Sequence, residues 1–218
     1  MSFFQKIVRL LSIVLLGSAI ACQNNWQSVA QIKPFVEKPK LADLTSDKVR
    51  KLLESAVEQT SLTKNYDPNY VVLSYPNGDV PMATGVCSDV VIRAFRRAGV
   101  DLQKEVHEDM QANFTAYPKK WNLKSPDPNI DHRRVPNLQT FFTRRGKSLP
   151  MTGKPEDYQP GDVVAWDLDG KGMTHVGIVS NRYYETTGRY LIIHNIGGGA
   201  QAEDVIFNWK IIGHYRYF

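Results

Sequence analysis

The stretch that decides the fold spans residues 84–99, with the sequence Thr84-Gly85-Val86-Cys87-Ser88-Asp89-Val90-Val91-Ile92-Arg93-Ala94-Phe95-Arg96-Arg97-Ala98-Gly99. Its apolar residues recur at helical spacing, which predicts a helix with one face to bury. Gly99 is a natural end, because glycine adopts the left-handed conformation that helix ends often need. Cys87 therefore lies at the helix start, where unpaired N–H groups favour an anion and lower a thiol pKa. A small, inert core cysteine is the alternative interpretation.

Length and composition describe one globular domain with an ordinary core. The chain has 218 residues, which suggests a single domain once any N-terminal segment is removed. The formal net charge of +5 suits an acidic polymer or surface as partner. The sequence has neither a dense Lys/Arg block nor zinc-finger spacing, so we expect no nucleic-acid partner. Two cysteines and five scattered histidines form no convincing zinc set, and we predict neither metal nor cofactor.

Residues 1–21 have the pattern of a secretory signal peptide. Lys6 and Arg9 precede a short apolar run, and small residues follow up to Ala21. The end of this segment fits ordinary signal cleavage and, with Cys22, also resembles a bacterial lipoprotein box. We therefore expect export to the periplasm, either as a soluble protein or anchored to the outer membrane by a lipid on Cys22.

The two cysteines have different predicted fates. If Cys22 carries a lipid, Cys87 has no partner. An unpaired thiol in an oxidising compartment is a liability unless it is inert in the core or used in chemistry. A Cys22–Cys87 disulfide is the alternative, and it is disfavoured because it would tie the N-terminal tether to a helix start.

The remaining pattern predicts a tether followed by an α+β domain. Residues 22–44 are polar with two prolines and are typical of a tether, which leaves 45–218 as the domain. Helical patterns dominate up to Gly146, and strand-like patterns follow from Val163 to Tyr217. Helices followed by an antiparallel sheet indicate an α+β fold, with the Cys87 helix packed on the sheet. The long irregular segment 117–134 favours a functional loop.

Two histidines are placed to work with Cys87. His175 starts one predicted strand and His194 ends the next, so an antiparallel hairpin brings both rings to the same sheet edge. A cysteine nucleophile needs a base, and the base needs an orienting partner. We predict Cys87 as nucleophile, His175 as base and His194 as the residue that orients it. Taken singly, each histidine also fits an ordinary structural role.

Four segments carry a family resemblance: Gly85-Val86-Cys87-Ser88-Asp89-Val90-Val91, Pro160-Gly161-Asp162-Val163-Val164-Ala165-Trp166, Thr174-His175-Val176-Gly177-Ile178-Val179 and Ile193-His194-Asn195. They resemble papain-like cell-wall peptidases of the NlpC type. Residues 66–217 also resemble an exported bacterial family, catalogued only as a domain of unknown function within that superfamily. The resemblance implies a papain-like fold and a Cys87, His175, His194 triad, with Asn195 as a substitute for the third member. NlpC-type enzymes usually have Asp before the cysteine and Ser-Gly after it, so Val86 and Ser88-Asp89 leave the cleaved bond open.

Three further residues are candidates for substrate binding. The resemblance suggests a tyrosine before the cysteine as second oxyanion donor, and Tyr75 is the candidate, with a core or strand tyrosine as the alternative. Arg133 and Arg134 can grip carboxylates, and a solvated charged loop is their alternative. Asp162 is interpreted as a turn residue and His214 as an ordinary strand histidine.

The predicted function is a thiol hydrolase of the cell wall. It cleaves an amide bond in peptidoglycan stem peptides or cross-links, so its partner is peptidoglycan or a peptide substrate. A papain-like acyltransferase is one alternative. A non-catalytic, wall-binding lipoprotein is the other.

Overall fold

The computed structural model describes residues 36–37 and 46–218. Its helices are α1 (Asp47–Leu62), α2 (Cys87–Arg97), α3 (Leu102–Asn113) and α4 (Val135–Arg144). Its strands are β1 (Val36–Glu37), β2 (Asn65–Tyr66), β3 (Thr84–Gly85), β4 (Val163–Asp167), β5 (Thr174–Tyr184), β6 (Arg189–Asn195), β7 (Ala200–Glu203) and β8 (Lys210–Tyr215). No helix within these ranges is long and apolar enough to cross a membrane.

The predicted N-terminal segments fall largely outside the described residues. The signal peptide 1–21, Cys22 and most of the tether 22–44 lie there. Within the tether, Val36–Glu37 form a short strand that pairs antiparallel with Arg182 and Tyr183 of β5. The tether is therefore paired with the sheet at these two residues.

The predicted α+β architecture is confirmed. β7, β6, β5, β4 and β8 form an antiparallel sheet in that spatial order, and β1 adds to β5. The predicted helix after Val86 is α2, and it ends before Gly99, whose φ of 87° is in the left-handed region. α2 packs on the sheet through a shared apolar core.

Strand alternation gives the sheet two buried faces. Val176 and Ile178 share a core with α2 on one face, whereas Trp166 and Val179 belong to a second core on the other. Successive side chains point to opposite faces. His175, which pairs in register with Trp166 on β4, therefore lies on the Trp166 face, at the second residue of β5.

Candidate active site

Cys87 is a buried free thiol at the first residue of α2, 6% exposed. It opens on a cleft of about 220 Å³. The cleft is lined by Tyr66, Pro68, Val86, Cys87, Trp121, Ile130, Arg133, Arg134, Val135, Pro136 and Thr174. Burial raises the pKa of Cys87 to about 11, although the backbone N–H of Val176 opposes this shift. The prediction of a lowered pKa is therefore wrong for Cys87 in this structure, because removal from water outweighs the helix start.

His175 and His194 lie side by side at the start of β5 and the end of β6, as the hairpin pattern predicted. Nε2 of His175 is 2.8 Å from Nδ1 of His194. Gly177 makes this approach possible, since a Cβ there would lie 3.0 Å from the Ile193 carbonyl oxygen and 3.1 Å from Cβ of His194. The catalytic roles of both histidines stay predictions.

Glu203 extends this pair into a row of three side chains. Its Oε2 is 2.9 Å from Nε2 of His194. Sequence reasoning missed Glu203, because its place depends on how β7 pairs with β6, and no motif marks β7. The one available signal is an acidic residue nine positions after His194, on a strand returning from a Gly-rich turn.

The two histidines are neutral around pH 7. Burial, helped by the neighbouring His194, lowers the pKa of His175 to about 3. Burial also lowers the pKa of His194, against the opposing effect of Glu203. The rings of Trp166 and Trp209 flank His175 at centroid distances of 5.9 and 6.1 Å. The site thus holds a thiol and two uncharged imidazoles.

Asn195, the predicted substitute for His194, has a different position. Its side-chain amide donates to the carbonyl oxygens of Gly85 at 2.9 Å and Asn65 at 3.3 Å. Those carbonyls belong to the β2–β3 pair just before Cys87. Asn195 thus fastens the end of β6 to the start of α2, and the contact with His175 is made by His194.

The Arg133 guanidinium is bound to Asp89, which conflicts with the prediction that Arg133 binds substrate carboxylates. Nε and Nη2 both donate to Asp89 at 2.9 Å, in a pair whose side chains are 2% and 4% exposed. Asp89 also accepts from the backbone N–H of Val86 at 2.7 Å, and Ser88 donates to the Arg133 carbonyl oxygen at 2.7 Å. The unusual Ser88-Asp89 sequence therefore anchors the helix start to the loop.

Arg134 and Trp121 form the cationic side of the cleft. The Arg134 guanidinium lies 4.3 Å from the centre of the Trp121 ring and makes one long bond, 3.4 Å, to Asp131. Among the described residues, Arg134 has no bidentate carboxylate partner like the Asp89 that holds Arg133. Arg134 is the better placed of the two arginines for a substrate carboxylate.

Tyr75 does not line the cleft. It is 44% exposed and packs edge-to-face on His107 of α3 at 5.3 Å. Tyr66 instead lines the cleft beside Cys87, and burial together with Cys87 raises its pKa. β2 places Tyr66 next to Gly85 on β3, whereas position in the sequence alone did not distinguish Tyr66 from Tyr75.

A second histidine cluster lies at the β4–β8 end of the sheet. His214 stacks on Tyr158 at 4.3 Å; its Nε2 is 2.8 Å from Oδ2 of Asp162 and its Nδ1 3.0 Å from the Pro150 carbonyl oxygen. Arg216 donates twice to the same carboxylate. Burial would raise the pKa of Asp162, but the bonds from His214 and Arg216 outweigh it and lower that pKa.

The family follows from comparison with known proteins. Residues 53–217 match the family model described as "Domain of unknown function (DUF1287)". The chain belongs to the DUF1287 family. The predicted resemblance to a family of unknown function is thereby confirmed. The matched span covers α1 to β8 except for the first six residues of α1.

Similar proteins fall into two groups. "Uncharacterized protein YijF" of Escherichia coli (strain K12) is 59% identical over 167 residues, covering 77% of this DUF1287 chain and 80% of that protein. Among solved structures, NlpC1 from Trichomonas vaginalis overlaps with a TM-score of 0.42 at 15% identity, over 80% of this chain and 45% of that one. An N-acetylmuramoyl-L-alanine amidase from Bacteroides uniformis overlaps with a TM-score of 0.49 at 11% identity, over 79% of this chain and 100% of that one. Neither score reaches 0.5, so the description of the DUF1287 fold rests on its own topology.

The acidic and histidine side chains do not gather into a metal centre. Among the described residues, no group of three or more His, Cys, Asp or Glu could hold a metal ion.

Proposed function

We propose that this chain is an exported thiol hydrolase that cleaves an amide bond in peptidoglycan stem peptides or cross-links. The observation that carries the proposal is the free thiol of Cys87 at a helix start, beside the strand on which His175 is held by His194 at 2.8 Å. A nucleophile, a base and an orienting residue are the parts that thiol acyl transfer requires.

The proton path follows from the ring nitrogens. In the proposed mechanism, Nε2 of His175 donates to Nδ1 of His194, so that Nδ1 of His175 carries the lone pair that takes the thiol proton. The Cys87 thiolate attacks the carbonyl carbon, and His175 then gives the proton to the leaving amine. Water attacks the resulting thioester with His175 as base, and the acid product leaves as the thiol re-forms. No hydrogen bond joins Sγ of Cys87 to the His175 ring among the described residues, so the proposal requires this contact to form as substrate binds.

The oxyanion of each tetrahedral intermediate needs donors at the helix start. The backbone N–H of Cys87 is one, and the Tyr66 hydroxyl in the same cleft is the proposed second. The raised pKa of Tyr66 keeps its hydroxyl proton available for donation.

The neutral resting pair makes the site dependent on its substrate. The pKa of Cys87 is about 11 and that of His175 is about 3. Few molecules therefore carry the thiolate–imidazolium pair before a substrate binds. A substrate that excludes water brings thiol and ring together and strengthens their attraction.

Arg134 is proposed to bind a carboxylate of the substrate. It borders the cleft with a side chain that is 17% exposed, and its planar guanidinium can take a carboxylate with two hydrogen bonds. Stem peptides carry carboxylates, so this contact suits them. Arg134→Gln should raise KM with little change in kcat, because the contact is present in both ground and transition states.

Export and anchoring are part of the proposal. The signal-like segment 1–21 supports export to the periplasm, and Cys22 after Ala21 supports a lipid anchor in the outer membrane. Mass spectrometry of the mature N-terminus tests both, with Cys22→Ser as control. A chain that keeps residues 1–21 would contradict export, and an unmodified N-terminal Cys22 would contradict the anchor.

The decisive test of the activity is a digest of purified peptidoglycan with the mature protein and with its Cys87→Ala variant. Mass spectrometry of the released fragments names the bond from the mass differences. Fragments from the wild type alone are expected. Equal fragments from both proteins, or none from either, would contradict the hydrolase; a product formed only with an added amine or lipid acceptor would assign the site to acyl transfer.

A further inference from the structure

We propose that Glu203 is a positioning residue that fixes the tautomers of both histidines, so that the nitrogen of His175 that does not face His194 carries no hydrogen. The inference rests on the proposed function and deepens it. It assigns a fourth member to the Cys87, His175 and His194 site. Glu203 acts through His194 and does not touch the substrate.

The sheet register explains how Glu203 reaches His194. β6 and β7 pair antiparallel with His194 opposite Gln201 and Ile192 opposite Glu203. His194 and Glu203 are thus diagonal neighbours on one face of the sheet, a separation that a long side chain can span. The Oε2–Nε2 distance of 2.9 Å shows that the glutamate side chain spans it.

The tautomers follow from which groups can donate. A carboxylate has only lone pairs, so Nε2 of neutral His194 must carry the hydrogen that faces Glu203. Nδ1 of His194 is then an acceptor, and the 2.8 Å contact requires Nε2–H of His175 as the donor. Nδ1 of His175 is left without a hydrogen. The opposite arrangement would place a ring lone pair against the carboxylate.

The surroundings support this arrangement. Burial lowers the pKa of His194 and keeps its ring neutral, so the ring carries one hydrogen whose position the neighbours decide. Trp166 and Trp209 contribute ring faces and edges around the pair, and neither offers an acceptor to compete for a ring hydrogen. The side chain of Glu203 is 40% exposed, so its effect on His194 works through a single hydrogen bond at the rim of the site.

Asp204 offers a matched control on the same strand end. Its carboxylate pairs with Arg189, away from His194. Asp204→Asn therefore removes one negative charge next to Glu203 without changing the histidine contacts. An effect that arises only from the loss of one negative charge, or from a change at this edge of the sheet, should be equal in Glu203→Leu and Asp204→Asn.

The first experiment reads the tautomers directly, in the resting full-length mature protein. Side-chain ¹⁵N NMR of histidine-labelled protein at pH 7 should show His175 and His194 protonated at Nε2 and bare at Nδ1, with assignments made from His175→Gln and His194→Gln. In Glu203→Leu, the His194 signals should move to a mixture of tautomers. They should stay in place in Asp204→Asn. A wild type with a hydrogen on Nδ1 of His194, or a Glu203→Leu protein with unchanged signals, would overturn the proposal.

The second experiment measures turnover of peptidoglycan fragments. Glu203→Leu should lower kcat by roughly 10-fold with KM little changed, as expected when an outer partner of a catalytic imidazole is lost. Glu203→Gln should keep most of the activity, because its amide oxygen can still accept from Nε2–H. A Gln variant as impaired as the Leu variant would overturn the acceptor role, as would an unimpaired Leu variant.

The two hypotheses fail separately. If the wild type does not turn over while its histidines show the expected tautomers, the proposed function falls and the tautomer assignment stands. If Cys87→Ala abolishes turnover and Glu203→Leu leaves both turnover and tautomers unchanged, the positioning role falls and the hydrolase stands. Should Glu203→Leu not fold, the tautomers of the wild type and the activity of Glu203→Gln still decide.

Discussion

Two histidine–carboxylate contacts of nearly equal length lie at opposite ends of the sheet. His194 and Glu203 join β6 to β7 at 2.9 Å, and His214 on β8 bonds Asp162, just before β4, at 2.8 Å. Both imidazoles are buried next to aromatic rings. They differ in what surrounds the second ring nitrogen.

At the β8 end, every polar group of the cluster has a partner. The two nitrogens of His214 face a carboxylate and a carbonyl oxygen. Asp162 is further bound by Arg216. At the β6 end, the row that starts at Glu203 ends on His175, whose Nε2 faces His194. The β8 cluster is expected to stabilise the fold, whereas the proposed tautomer would leave Nδ1 of His175 able to accept a proton.

Replacing His175 or His214 with asparagine, one at a time, should give the largest contrast. His175→Asn should lower kcat by about 100- to 10,000-fold, the usual contribution of a general base. His214→Asn should leave kcat of the folded protein unchanged and lower the unfolding free energy by about 1–3 kcal/mol, because the buried Asp162 carboxylate loses a hydrogen-bond partner. Peptidoglycan digestion and urea denaturation of both variants measure the two effects. Loss of activity in a folded His214→Asn protein would break the contrast.

Substitutions at Asp89 and Arg133 test whether this buried ion pair, whose carboxylate lies two residues after Cys87 on α2, also has a structural role. Arg133→Met should lower the unfolding free energy by about 3–5 kcal/mol, because it leaves a buried carboxylate without its cation. The double variant Asp89→Asn/Arg133→Met should recover part of this loss, since the charge is removed while an acceptor for Val86 N–H remains. Urea denaturation decides; a double variant no more stable than Arg133→Met would contradict the pairing as the cause.

Gly177→Ala should disturb the open end of the sheet alone. The added methyl would lie 2.6 Å from Cγ2 of Ile192 and 3.0 Å from the Ile193 carbonyl oxygen, so β6 must shift and carry His194 with it. We expect a loss of about 1–3 kcal/mol in the unfolding free energy, and a lower kcat, from this overpacking. Gly153→Ala is the control, because a Cβ there meets nothing within 4 Å. Equal kcat in the two variants would show that the His175–His194 spacing does not matter.

Acid should act on the open end more than on the saturated one. The pKa of His175 is about 3 in the folded protein and near 6.5 when unfolded, so its contribution is present above pH 6.5 and is lost as the pH falls towards 3. His132, with a pKa lowered to about 4, adds to this loss, while Asp131, raised to about 6, opposes it. Urea midpoints at pH 7, 5.5 and 4 should fall in the wild type and fall less in His175→Asn. Identical slopes would contradict the burial of a neutral His175.

The sequence was informative wherever a local pattern was enough. Helical spacing with a glycine end predicted α2, and two strand patterns predicted the hairpin that brings His175 to His194. These features depend on neighbours in the chain and on strand alternation. The α+β order followed from the same patterns.

Long-range pairing was beyond that reasoning. Glu203 reaches His194 only through the β6–β7 register, and Tyr66 rather than Tyr75 reaches the cleft because β2 pairs with β3. Arg133 and Arg134 are adjacent in sequence, yet the first is turned inward to Asp89 and the second borders Trp121. The pKa of Cys87 also depends on burial by distant segments, which outweighed the local effect of the helix start.

The protonated state of the Cys87 thiol also protects the sulfur. Peroxides attack the thiolate form, and a pKa of about 11 leaves roughly one thiol in ten thousand ionised at pH 7. Conversion to sulfenic acid and then to the irreversible sulfinic and sulfonic acids should therefore be slow before a substrate binds. The burial that keeps the thiol protonated until then also slows its oxidation.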